Sequence, residues 1–399
     1  MSAEAFSIDA DAAENRLMRY LAVEGVTGQE AAIGALIVEE LLALGVPADA
    51  IAYDDANTRI PVPTETGNLI VTLPGTKTGP RLLFSTHLDT VPLVAGAKPS
   101  RVGDRIVSDG TTALGGDNRT GCGVLVTMVE TLLANAIPHP PLTLLFTVRE
   151  ESGLHGAREV DIARLGDPVM GFNVDGRLPS DLVIGAVGQE TWEAEIHGKA
   201  AHAGVAPQKG VSSTLVGAIA LAEAAAGGWF GKVVKDEGTG TSNIGIFGGK
   251  NGKAAGDATN VVTDYAFLRG EARSPDAAFA KTITAGFAAA FETAKAKVTS
   301  ESGETATIDF RQSTTYPPFR LDEESPVVIH AKAAVEALGL TPNCRLSNGG
   351  LDANWLEKHG IPSVTIGAGQ CEPHTVHEYV EVADYLTGCR LAVALASLA

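Results

Sequence analysis

Cysteine is scarce in this chain. The four present, Cys122, Cys344, Cys371 and Cys389, are far apart and form no CxxC pair. In 399 residues that usage suggests reduced thiols in the cytosol, with sequence leaving a single bridge open. Positive charge is short as well, with 30 Lys and Arg against 48 Asp and Glu and a formal net charge of -18. Such a surface would not attract nucleic acid or an anionic membrane. There is no run of about eighteen apolar residues, so no membrane span is expected. The stretch Met1 to Arg19 is acidic and lacks a basic segment followed by a long apolar one, so no signal peptide is expected. What remains is ordinary for a globular protein, with 45% hydrophobic and 20% charged residues. The length allows two domains with separate cores. An acidic cytoplasmic enzyme is the expectation.

The 45 glycines are one feature that stands out, and many sit beside polar clusters. Apolar residues at helical spacing from Asp11 to about Leu44 predict helix, with Gly45 as a stop. Asn68 to Leu73 reads as a strand closed by Pro74-Gly75. A short buried strand follows from Leu82 and runs out at His87 and Asp89. Residues two apart in an extended chain share a face, so these two can point together beyond the strand's carboxyl end. In open α/β sheets that crevice binds ligands. Val94 to Asn118 is polar, glycine-rich and too long for a plain connection. Cys122 to Asn135 predicts a helix. Leu142 to Val148 is an apolar strand stopping at Arg149-Glu150-Glu151, and Val169 to Asp175 is another ending on a carboxylate. Buried strands alternating with helices indicate an α/β domain with a mixed, mostly parallel, doubly wound sheet.

The pattern changes after about Ala186. Glu190 to His197 and Asn260 to Glu271 alternate apolar and polar residues, as in a sheet with one solvated face. An Ala-rich helix lies between them, Ser212 to Ala226. A second helix, Pro275 to Lys297, and a strand, Ala306 to Gln312, follow. These predict an inserted α+β domain over 186–316, between a first part of the α/β domain at 1–185 and a second at 317–399. The second part holds a helix from Ser325 to Leu338, a strand from Pro362 to Ile366 and a helix from Tyr385 to Leu398.

Metal-type ligands recur at the strand ends and in adjacent loops. They are His87 with Asp89, Asp117 in Leu114-Gly115-Gly116-Asp117-Asn118, the pair Glu150-Glu151, Asp175, and the histidines of Glu372-Pro373-His374-Thr375-Val376-His377-Glu378. Singly, each has a plainer reading as a hydrogen-bonded histidine, a solvated carboxylate pair or a helix cap. Together they say more, because surface charges have no reason to follow buried strands repeatedly. Imidazoles mixed with carboxylates suit zinc, cobalt or manganese better than calcium or magnesium. Two metals about 3.5–4 Å apart need a bridging carboxylate, and the set is large enough to supply one besides a base.

In these motifs the chain resembles the peptidase T, carboxypeptidase G and aminoacylase family of two-metal hydrolases. The matching stretches are His87-Leu88-Asp89-Thr90-Val91-Pro92, Leu114 to Asn118, Glu150-Glu151-Ser152-Gly153, Asp175-Gly176, and His374 with Glu378. Gly198 to Pro207 and Asp352-Ala353-Asn354 resemble the peptidase T-like branch most. The resemblance implies a zinc-peptidase domain with an inserted lid and dimerisation domain, and two Zn2+ ions, with Co2+ or Mn2+ as alternatives. His87 and Asp175 would hold one ion, Glu151 and His374 the other, and Asp117 would bridge them. Asp89 would hydrogen-bond His87. Glu150 would be the general base toward a water acidified by both cations, handing its proton to the leaving amine. In the inserted domain His202 would stabilise the oxyanion, often from across a dimer interface, and Asn260 and Arg273 would bind substrate, the arginine gripping a carboxylate. These two flank Val261 to Ala272, read as a hairpin. The plainer reading of Arg273 is an ion pair with Glu271. Gly349 and Gly350 resemble a loop whose N–H groups meet the substrate. Leu351 replaces the Ser or Thr of many relatives there, and His377 stands where Asn is common.

The implied activity is hydrolysis of short peptides by a cytoplasmic homodimer, of the tripeptide or dipeptide aminopeptidase kind. The alternatives are an N-acyl-amino-acid amidohydrolase or a glutamate-type carboxypeptidase on the same machinery. A binding protein that kept the fold is a third, which the presence of Glu150 argues against.

Overall fold

The computed structural model describes residues 6–398, so the first five residues of the acidic N-terminal stretch and the last residue lie outside it. By its internal contacts the chain forms two units. One runs to Ala186 and resumes at Phe319, and the other is Val187–Pro318.

At the centre of the first unit four parallel strands lie side by side in the order Leu142–Thr147, Leu82–His87, Met170–Val174 and Ser363–Ile366. Antiparallel strands extend the sheet at both edges, Leu69–Leu73 beside Leu142–Thr147 and Asp181–Ala186 beside Ser363–Ile366. The sheet is therefore mixed with a parallel core. Every residue of Leu82–His87 and Leu142–Thr147 is buried, as expected of strands covered on both faces. Leu82, Phe84, Leu144 and Phe146 join a large cluster that also takes in the helices Gly116–Ala134 and Val382–Leu398. Leu83 and Leu145 point the other way, into a smaller cluster with Leu356 and Ile361. Alternation along each strand thus feeds two cores. Because the four central strands are parallel, all their carboxyl ends open on one edge of the sheet.

Three local expectations change. The helical stretch from Asp11 to Leu44 is two helices, Ala10–Leu21 and Ala31–Ala43. They are parted where Val26 bridges to Thr90 and Gly28 turns with φ +90°. The long loop after Val94 carries a small hairpin, Ser100–Val102 with Arg105–Val107, which pairs with Tyr379–Glu381 and through it Gln370–Cys371. Strands of two or three residues leave too short a pattern to read. The helix expected from Cys122 is preceded by further turns. Helical structure spans Gly116–Ala134 with a kink at Asp117 (φ -84°, ψ 100°) and Asn118 (φ -126°, ψ 46°), whose backbone is not helical.

The second unit has a five-stranded antiparallel sheet in the order Gly231–Lys235, Gly238–Gly248, Tyr265–Ser274, Gly188–His197, Thr307–Tyr316. The helices Ser213–Ala226 and Ala277–Lys297 make this a split β-α-β-β-α-β arrangement with an added edge strand. Trp192 fills its core, 4.9 Å from the Phe287 ring and 5.5 Å from Phe310. The stretch Val261 to Ala272 is not a hairpin. It enters the single strand Tyr265–Ser274, whose hairpin partner is the glycine-rich strand Gly238–Gly248. Five glycines in that partner and its neighbour blur the alternation that would have announced them.

Candidate metal centre

His87 is the last residue of its strand and is 1% exposed. Its Nδ1 lies 2.9 Å from the Asp89 main-chain oxygen. A carbonyl and a carboxylate only accept, so Nδ1 donates to the Asp89 oxygen and Nε2 donates to Asp117 Oδ1, 3.1 Å away, with Asp175 Oδ1 at 3.9 Å. In the metal-free chain the ring is an imidazolium, and Nε2 is the atom a cation would take. The Asp89 carboxylate approaches Nδ1 only to 3.4 Å. It accepts instead from the N–H groups of Glu150 and Glu151, at 2.9 and 3.2 Å. Asp89 therefore ties the His87 strand to the Glu150-Glu151 turn.

Asp117 is set by its surroundings. Buried Glu378 accepts the N–H groups of Leu114, Gly115 and Asp117 at 2.8, 2.8 and 3.0 Å. Asn118 Nδ2 donates to the Val174 carbonyl at 2.7 Å, joining this turn to the strand before Asp175. Gly121 makes the approach possible, since a Cβ there would stand 2.0 Å from Thr86 Oγ1 and 2.6 Å from the Val174 oxygen. Asp117 Oδ2 lies 3.4 Å from His374 Nε2, which is 2.9 Å from Glu151. His374 reaches inward from a turn in which its own φ is +64°.

Two overlapping groups result. Donor atoms of His87, Glu150 and Asp175 lie within 4.8 Å of one another, as do those of His87, Asp117 and Glu151. His377 is exposed, its main-chain N–H held by Thr375 Oγ1. Of the residues expected from sequence, the first unit brings His87, Asp89, Asp117, Glu150, Glu151, Asp175 and His374 together. Gly349 donates its N–H to Ser347 Oγ at 3.0 Å. In the second unit His202 is exposed. Its Nδ1 accepts from Gly204 N–H at 3.2 Å, which leaves the proton on Nε2. Asn260 lies beside it through the Ala203 N–H to Asn260 carbonyl bond of 2.9 Å. Arg273 rests on Glu271 through Nε at 3.0 Å and Nη2 at 3.1 Å.

Electrostatics set the chemistry. Burial, with the His87 charge opposing and the Asp175 charge adding, holds the Glu150 carboxyl well above the usual carboxylate range. Burial and then the Asp117 charge push both Asp175 and Glu151 up to about 7. Burial works the same way on Asp117, but hydrogen bonds from His374 and His87 outweigh it and hold this carboxyl below its ordinary value. Hydrogen bonds to Asp117 and Glu151 push His374 up to about 10. Gathering like charges in a buried place is costly unless cations answer them. Two imidazoles facing a ring of carboxylates are also the donors that zinc-type ions take. The residues therefore fit a divalent metal centre.

Some residues escaped the sequence reading. Glu378 was read only as part of a motif, although its place four residues after His374 was the available signal. Gln370, whose Nε2 lies 3.3 Å from Asp175 Oδ1, carries no motif. Asp352, buried with Thr147 Oγ1 on its Oδ2, was read only as a mark of the branch.

Comparison with known proteins gives this arrangement its relatives. The family model described as peptidase family M20/M25/M40 matches residues 83–398. The YqjE protein of Bacillus subtilis (strain 168) is 33% identical over 330 residues, covering 82% of this chain and 84% of that one. The crystal structure of aminopeptidase PepT from Bacillus cereus ATCC 10987 is 34% identical with a TM-score of 0.82, covering 98% of each chain. A tripeptidase structure from Staphylococcus aureus subsp. aureus Mu50 is 31% identical with a TM-score of 0.86, again covering 98% of each. The chain belongs to peptidase family M20/M25/M40, and it is a peptidase T-like member of that family.

Proposed function

We propose that this peptidase is a two-zinc aminopeptidase cleaving the first amide of tripeptides and dipeptides. The observation that carries the proposal is the Asp117 carboxylate, whose two oxygens face different histidines, His87 at 3.1 Å and His374 at 3.4 Å. A carboxylate so placed can be shared by two cations. His87 and Asp175 would hold one, His374 and Glu151 the other. Two divalent ions, when bound, supply the Lewis acidity that makes water a nucleophile near neutral pH. Glu150 takes the proton from the attacking water and delivers it to the leaving amine. Its raised carboxyl, buried beside other carboxylates, suits a group that must both accept and return a proton. Asp89 orients the pair Glu150-Glu151 through their main-chain N–H groups and His87 through its own carbonyl.

We assign Val187–Pro318 the part of lid and dimerisation domain, and the remainder the catalytic part. Arg273 would exchange Glu271 for the substrate carboxylate, and Gly349 and Gly350 would line the substrate loop. His202 and Asn260 lie beyond the Tyr265 end of the strand on which Arg273 sits at the other end. From Tyr265 to Arg273 alone is about 26 Å at ~3.3 Å per residue, whereas a tripeptide spans roughly 10 Å. One copy of the lid therefore cannot present both residues to the same short peptide. His202, with its Nε2–H free to meet an oxyanion, would come from the second copy of a homodimer. A cytoplasmic setting accords with the four free thiols.

The test is a panel of tripeptides with free and acetylated amino termini, offered to chelator-stripped protein reloaded with Zn2+. Cleavage of the free peptides only is expected. Cleavage of the acetylated ones only would favour an N-acyl-amino-acid amidohydrolase, and release of C-terminal glutamate a carboxypeptidase.

A further inference from the structure

Gln370 is 6% exposed, in the two-residue strand Gln370–Cys371, and it touches one of the gathered carboxylates. Its Nε2 is 3.3 Å from Asp175 Oδ1, and its Oε1 is 3.2 Å from Thr120 Oγ1. The orientation of the amide follows from chemistry. A carboxylate only accepts, so the NH2 end must face Asp175, and the oxygen is left for a hydroxyl able to donate. Thr120 also lies 3.0 Å from the Gly116 carbonyl, so its proton is shared between that carbonyl and the Gln370 amide oxygen. Asp175 has its main chain fixed by a 3.0 Å bond from its N–H to the Ile366 carbonyl. What that bond leaves free is rotation of the carboxylate, and Gln370 is placed to stop it.

The other acidic groups are held by different means. Glu378 secures the turn of Asp117, and Asp89 secures Glu151 through its N–H. We propose that Gln370 is a positioning residue for one metal ion of the pair, the ion faced by His87 and Asp175, acting by fixing the plane of the Asp175 carboxylate. The assignment rests on the two-ion reading given above. Removing an outer hydrogen-bond partner of a metal ligand typically costs 10- to 100-fold in metal affinity. Here the loss should fall on one ion and spare the other.

The experiment is titration of Zn2+ into the chelator-stripped full chain, followed by calorimetry with a competing chelator, for the wild type, Gln370→Met and Gln370→Glu. The wild type should take up about two ions. Q370M should weaken one of them by about tenfold or more and leave the other unchanged. Q370E should change the affinity of the same ion alone, because it exchanges the donor for a negative charge beside Asp175 and that ion. Glutamate is close to glutamine in shape, so a purely packing role would leave Q370E binding both ions as in the wild type. Binding of both ions as in the wild type by either variant would overturn the proposal. So would equal weakening of both ions in Q370M, or a thermal midpoint of metal-free Q370M well below that of the wild type. Fewer than two ions on the wild-type chain would instead overturn the two-ion reading, and this assignment with it.

Discussion

At the scale of single residues, the centre is an economy of protons. Hydrogen bonds to Asp117 and Glu151 keep His374 protonated up to about 10, and Glu151 and Asp175 hold protons up to about 7 by burial and then the Asp117 charge. Unfolded, these groups would titrate at about 6.5 and about 4. Their folded values are raised, so their stabilising contribution is whole below the unfolded values and is lost as pH rises through the folded ones. The stability these groups give the metal-free chain should therefore fall between about pH 4 and about pH 7 through the two carboxyls, and on to about pH 10 through His374. Zn2+ competes for the same atoms, so its binding should release protons at pH 7. Calorimetry in buffers of different ionisation enthalpy would reveal this, and heats independent of buffer would contradict it. Glu150→Gln should lower kcat by about 10²- to 10⁴-fold while the metal content stays that of the wild type. Loss of metal together with activity would make Glu150 a ligand instead of a base. The residues that make this chemistry were legible because histidines and carboxylates at buried strand ends are conspicuous. The amide of Gln370 and the latch of Glu378 were not, because a hydrogen bond between segments distant in the chain leaves no local pattern.

At the scale of elements, the site exists because four parallel strands end together. The apolar runs Leu82–His87 and Leu142–Thr147 were readable for a plain reason: strands buried on both faces must be apolar throughout. The hairpin Ser100–Val102 with Arg105–Val107 was not, since of its residues only Ile106 is buried. The first turns of Gly116–Ala134 were hidden by Gly115 and Gly116 and by the kink at Asp117 and Asn118, where the backbone is not helical. Packing between that helix and the strand ends gives a sharp expectation. Gly121→Ala should destabilise the protein by about 2 kcal/mol or more in urea unfolding, since the new methyl meets Thr86 Oγ1 and the Val174 carbonyl. A neutral or stabilising effect would mean that the helix and strands can part without cost, and Asp117 would then lack a fixed place. For the same element, Asp117→Ala should remove both ions, because each histidine faces one of its oxygens. Retention of both would count against its bridging role.

At the scale of the whole molecule, the change in pattern near Ala186 had a physical basis. A sheet with one solvated face alternates, and a sheet buried on both sides does not. The α/β class of the first unit and the α+β class of the second could be read from that difference alone. The glycine-rich strand Gly238–Gly248 could not, because glycine is neutral to alternation, and Gly231–Lys235 beside it is only five residues long. Among the described residues no helix is long and apolar enough to cross a membrane. If His202 serves the neighbouring copy, a chain with His202→Ala mixed with one carrying Glu150→Gln should regain activity through the hybrid dimer. Mixtures no more active than either parent would remove the second copy from the site. The most direct measurement is the rate of tripeptide hydrolysis as Zn2+ is returned stepwise to the stripped protein. Activity should be absent from the metal-free chain and reach its plateau at about two ions per chain. Hydrolysis by the stripped protein, or none at any zinc loading, would contradict a paired-metal peptidase.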